Sequence, residues 1–154
     1  MLTVPFTTTG QDQRYADLFS TLPNLTNTTM RLRLYAPGAT GGSITFYLND
    51  ADSSAGPGAT VTLDTLSKGW TDISISVGGV VGAFDPSAVK QVTMEVISGS
   101  TVVAWTNPTV VYLDSVVTSN ALVNDTFDTS APTMVRSSQQ VVPNATLTWT
   151  STVP

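Results

Sequence analysis

The chain of 154 residues contains no cysteine and no histidine. Without cysteine there is no disulfide framework, and the redox compartment leaves no mark on the sequence. Without either residue, thiolate and imidazole metal sites are excluded. A Ser-His-Asp triad is excluded as well, as is a cysteine nucleophile with a histidine base. Any enzyme would have to work with carboxylates, lysine, tyrosine or serine alone. Charge is scarce: six basic and eleven acidic residues make up 11% of the chain and leave a net charge of −5. A nucleic-acid reader needs a basic face, and the six basic residues are scattered, so no nucleic-acid partner is expected. No apolar run approaches the roughly twenty residues that span a bilayer, so no membrane segment is expected. The first residues lack the basic-then-apolar pattern of a secretory signal.

What is abundant is threonine, serine and valine, which favour pleated, half-buried surfaces and are poor in helices. Eleven glycines and nine prolines supply turns. A chain of this length suits one domain and buries roughly 70% of its unfolded surface, enough for a core without metals or disulfides. The pattern reads as about ten short strands, spaced as in a sandwich or barrel rather than in βαβ units. Expected strands are Leu2 to Phe6, Arg14 to Ser20, Thr28 to Ala36, Ser43 to Asn49, Ala59 to Asp64, Trp70 to Val77, Gln91 to Ser98 and Thr109 to Thr118. Thr28 to Ala36 alternates, with Met30, Leu32 and Leu34 on one face and Arg31, Arg33 and Tyr35 on the other. In Ser43 to Asn49, Ile44, Phe46 and Leu48 oppose Thr45, Tyr47 and Asn49. Asp50 to Gly58 reads as loop. Asp85 before Pro86 reads as a helix N-cap with proline at the first helical position.

The order from Gly69 to Thr118 is a strand opening on Gly69-Trp70, a short turn at Asp85 to Lys90, a strand Gln91 to Ser98, and a last strand carrying Tyr112-Leu113-Asp114-Ser115-Val116. This order resembles the C-terminal half of carbohydrate-binding modules of the galactose-binding-domain-like, jelly-roll type. The resemblance implies an all-β jelly-roll sandwich of two antiparallel sheets. It implies non-catalytic binding of a polysaccharide or oligosaccharide, as an appendage that targets an attached enzyme to glycan. It further implies an extracellular setting and a chain that is a monomer or part of a larger multidomain protein. A structural or adhesive β-sandwich of a surface or fibre protein, without a sugar site, is the competing reading. Residues 121–154 depart from the family's order. Thr126-Phe127-Asp128 is similar to the family's opening element, and Ala145 to Thr152 is similar to the strand that normally precedes Leu2 to Phe6. Either the 154 residues form one circularly permuted domain whose tail supplies the opening strands, or the tail belongs to the next copy of a tandem array.

In the resembling family an acidic residue near the start and an aspartate on the last strand often hold a structural Ca²⁺. Carried over, these are Asp128 and Asp114, with Asp125 a weaker third. The chemistry suits carboxylates, since calcium takes six to eight hard oxygen ligands; the competing reading is that these are turn and cap aspartates. The polar phases of the strands supply a sugar face. Arg33, Tyr35, Tyr47, Asn49, Glu95 and Trp105 are expected on one continuous surface, with aromatics stacking on pyranose C–H faces and planar polar groups bridging hydroxyls. A solvated sheet face with cross-strand Arg–Glu pairs competes with that. Trp105 is placed on a connection and is the tryptophan best suited to a ligand; Trp70 is read as packing at a core or edge, and Trp149 as core. Four Asn-x-Ser/Thr triplets, at Asn24, Asn27, Asn124 and Asn144, are what chance gives in so threonine-rich a chain. Asp50 and Asp52 could be paired as general acid and base, but a polar Ser-Gly loop holds such a pair poorly, and the protein is read as not an enzyme.

Overall fold

The computed structural model describes residues 1–99, 106–127, 134–136, 142 and 144–150. Two antiparallel sheets pack face to face as a β-sandwich. The strands are β1 (Leu2–Val4), β2 (Asp12–Leu18), β3 (Thr28–Tyr35), β4 (Gly42–Asp50), β5 (Ala55–Thr62), β6 (Thr71–Val77), β7 (Val89–Ser98), β8 (Thr109–Thr118), β9 (Asn124–Asp125), β10 (Met134–Arg136) and β11 (Thr146–Leu147), with one helix, α1 (Leu63–Leu66). The first sheet runs β11-β1-β8-β3-β6, with β9 also on β8; the second runs β10-β2-β7-β4-β5.

Alternation makes the core. Met30, Leu32 and Leu34 of β3 are buried while Arg31 and Arg33 are exposed. Across the interface, Ile44, Phe46 and Leu48 of β4 and Val92, Met94 and Val96 of β7 are buried. Period two delivers one apolar face per strand, and the two faces close on each other. The connection after β3, through Pro37 and Gly38, carries the chain from the first sheet to the second.

Local chemistry differs from the sequence expectation in two places. Asp85-Pro86 starts no helix. The Asp85 carboxylate instead accepts from the backbone N–H of Ser87 at 2.9 Å and from its hydroxyl at 2.7 Å, which closes a turn in the way Asx residues do. The helix lies earlier, where Thr62 accepts from the N–H of Thr65 and Leu63 and Leu66, one turn apart, both enter the core. The stretch from Asp50 to Gly58 is only half loop. Ala55 already pairs with Asn49, and a register shift between Tyr47 and Asn49 absorbs Gly56 and Pro57. A Cβ at Gly56 would stand 2.5 Å from the ring of buried Phe84, so that strand needs glycine to pass the ring.

Asp50 is 2% exposed and holds this corner together. One carboxylate oxygen accepts from the N–H of Ser54 at 2.8 Å, the other from the N–H of Asp85 at 2.9 Å. Both oxygens therefore serve the backbone, and Asp52 is exposed, so the two do not form an acid–base pair. Asp50→Ala strands two N–H groups and is expected to cost roughly 2–3 kcal/mol. For a chain of this size that is a fall in Tm of about 5–10 °C, measurable by thermal melting. An unchanged Tm would show that water satisfies both donors.

The tail pairs with the sheets where it is described. Thr146–Leu147 lies against Leu2–Thr3, and Met1 and Thr148 exchange two backbone bonds of 2.8 Å. Met134–Arg136 lies against Tyr15–Asp17 of β2. Val142 and Ala145 are buried, and the N–H of Val142 donates to the side chain of fully buried Gln13 at 2.9 Å. Trp149 is not core: it is 39% exposed, and its indole N–H donates to the carbonyl of Phe127 at 2.9 Å.

Candidate functional site

The residues expected to share one sugar face lie on two. Arg33 and Tyr35 are on the outer face of the first sheet. Tyr47, Asn49 and Glu95 are on the outer face of the second, across the full thickness of the core. Alternation places a side chain inward or outward, and β3 and β4 each obey it; that the two strands belong to different sheets is invisible to alternation. Trp105 lies outside the described residues.

On the first sheet Tyr35 gains partners the sequence did not assign to it. Trp70 precedes β6, whose Thr71 pairs with Leu34, and Tyr112 of β8 pairs with Tyr35 itself. The result is a cross-strand row of three half-buried rings, Trp70–Tyr35–Tyr112. Their centroids are 5.7 Å apart with planes at 44°, then 6.4 Å apart with planes at 28°. Arg33 sits at the edge of the row, its guanidinium carbon 5.7 Å from the Trp70 ring. It also faces Asp72 at 3.6 Å and Asp114 at 3.8 Å. All three charged side chains stay substantially open to water, so these ion pairs orient groups more than they stabilise the fold.

A β-bulge creates this row. Arg33 pairs with Ser115 but Leu34 pairs with Leu113, so Asp114 is an extra residue on β8. Simple alternation from buried Val116 would turn Tyr112 inward. The bulge reverses the phase, leaves Val111 inward and brings Tyr112 out beside Tyr35. It also aims Asp114 at Arg33.

Asp114 was the expected calcium ligand with Asp128, which lies outside the described residues. The charge nearest Asp114 is a guanidinium. Among the described residues no three His, Cys, Asp or Glu side chains stand close enough to share an ion.

The outer face of the second sheet is polar. Arg14 of β2 is opposite Glu95 of β7 and bonds it at 2.6 Å, with Asp12 at 3.4 Å on the other side. Burial pushes the Glu95 carboxyl above its ordinary value; Asp12 adds to this and Arg14 opposes it. Burial likewise raises the Tyr47 phenol, against the pull of Arg14. One residue pair further along, the amide of Gln91 donates to Asn49 Oδ1 at 3.1 Å and to the Thr93 hydroxyl at 2.9 Å, and Thr93 donates to Asn49 Oδ1 at 2.8 Å.

Comparison with known protein families finds no family model that matches this chain, and comparison with curated proteins finds no matching sequence. No helix among the described residues is long and apolar enough to cross a membrane.

Proposed function

We propose that this chain is a non-catalytic polysaccharide-binding β-sandwich of the jelly-roll type, an extracellular appendage that holds an attached enzyme near its glycan. The observation that carries this reading is the row Trp70–Tyr35–Tyr112 with Arg33 at its edge. Three rings in line on a rigid sheet face offer successive apolar surfaces to the C–H faces of a sugar chain. The step from ring to ring is comparable with the length of a hexose residue. Arg33, Asp72 and Asp114 supply donors and acceptors for hydroxyls on one flank. Arg33 faces two carboxylates, Asp72 and Asp114, an arrangement that disfavours an acidic chain.

A structural or adhesive β-sandwich without a sugar site is supported by a different fact: all three rings are half-buried, as cross-strand aromatic pairs that merely stabilise a sheet also are. Affinity electrophoresis over soluble glucans, mannans, xylans and pectins separates the two. The binding reading expects retardation in at least one neutral polysaccharide, weaker or absent in pectin. No retardation in any of them, together with no binding at millimolar oligosaccharide, would leave the structural reading.

A further inference from the structure

The second sheet has a depression of about 410 Å³ on its outer face, lined by Arg14, Ala16, Tyr47, Asn49, Gln91 and Thr93 among others. Strand register explains its shape. One cross-strand row reads Val135–Ala16–Thr93–Tyr47–Gly58. The row on one side reads Arg14–Glu95–Thr45–Thr60, and on the other Leu18–Gln91–Asn49–Ala55. Small Ala16 and Thr93 thus lie between Arg14 and Glu95 on one side and Gln91 and Asn49 on the other, with the Tyr47 ring next in their row. Gly58 leaves the far side of Tyr47 without a side chain, and a Cβ there would collide with the Phe46 carbonyl.

The walls are already ordered. Arg14 is held by Asp12 and Glu95, and Gln91, Thr93 and Asn49 bond one another. A ligand entering such a site pays little to arrange it. The volume falls within the range of small-molecule sites, roughly 300–1,000 Å³.

We propose that this depression is a second glycan site, for an uncharged hexose unit, so that one copy of the protein holds two polysaccharide chains, one on each outer face. The bridging role rests on the function proposed above; the site itself rests on this face alone. Tyr47 stacks on the sugar ring. The Asn49–Gln91–Thr93 cluster and the Arg14 guanidinium, which Glu95 holds in place, exchange hydrogen bonds with its hydroxyls. Two carboxylates against one guanidinium leave this rim negative when ionised, which disfavours uronates and sulfated sugars. Bridging would raise retention on a polysaccharide through avidity without any new contact.

Titration calorimetry with cellohexaose, mannohexaose, xylohexaose and, as the anionic probe, hexagalacturonate tests the site. Two neutral oligosaccharides per chain are expected for the intact protein. Tyr47→Ala should reduce this to one, and Gln91→Ala, which leaves the core untouched, should weaken the same site about tenfold or more. Trp70→Ala should leave the site lined by Tyr47 in place. Hexagalacturonate should bind at least about tenfold more weakly. The proposal is overturned if the intact protein binds one oligosaccharide and neither Tyr47→Ala nor Gln91→Ala changes its affinity, or if Trp70→Ala alone abolishes all binding. Absence of binding by the intact protein overturns the functional reading and this site with it.

Discussion

Replacing Trp70 by alanine is expected to weaken polysaccharide binding at the first sheet by tenfold or more while the fold survives. Trp70 ends the ring row, touching Tyr35 at 5.7 Å and the Arg33 guanidinium at 5.7 Å. Loss of a stacked aromatic removes buried apolar area and a stacking contribution of about 0.5–1.5 kcal/mol, together on the order of 1.5–3 kcal/mol, which is tenfold or more in Kd. Trp70 is half-buried and stands outside the buried cluster of the sandwich. Its aromatic and cation–π contacts among the described residues are one tilted ring pair and one exposed Arg33 contact, each about 0.5–1 kcal/mol. Tm should therefore fall by only a few degrees. Affinity electrophoresis and thermal melting on the same variant decide the matter. A large drop in Tm with binding retained would make the row a structural brace and sink the platform.

Shortening the chain to end at Asn120 is expected to abolish cooperative melting. Three described pairings are lost: β9 on β8, β10 on β2 and β11 on β1. Buried Val123, Val142 and Ala145 go with them, as do Phe127 and Leu147, which pack against the core. Each fully buried aliphatic side chain is worth about 1.5–3 kcal/mol, so the loss rivals the 5–15 kcal/mol or so that stabilises a typical domain. Gln13, 0% exposed, would also lose the N–H of Val142 as donor, and β1 and β2 would become open edges. A shortened chain that melts as high and as sharply as the full one would show that the tail adds nothing to the sandwich. The tandem-array alternative predicts concentration-dependent oligomers by light scattering, with tails pairing between copies.

The sequence by itself determined much about this protein. Absence of histidine and cysteine removes whole classes of catalysis, because those chemistries need the side chains themselves. The alternation of Met30, Leu32 and Leu34 with Arg31, Arg33 and Tyr35 set inside from outside on β3, because pleating is a property of each strand alone. The last long strand expected from the sequence, Thr109 to Thr118, has the bounds of β8. Tertiary structure decided the rest. Tyr35 and Tyr47 lie in the outward phase of neighbouring strands, yet the chain crosses between sheets at Pro37-Gly38 and separates them by the whole core. Trp70, Tyr35 and Tyr112 meet only because β3 pairs with both β6 and β8 and because Asp114 is inserted as a bulge. Read by alternation alone, Tyr112 shares the phase of buried Val116. Register between strands distant in sequence is set by how two apolar faces fit together, and no single strand carries that information.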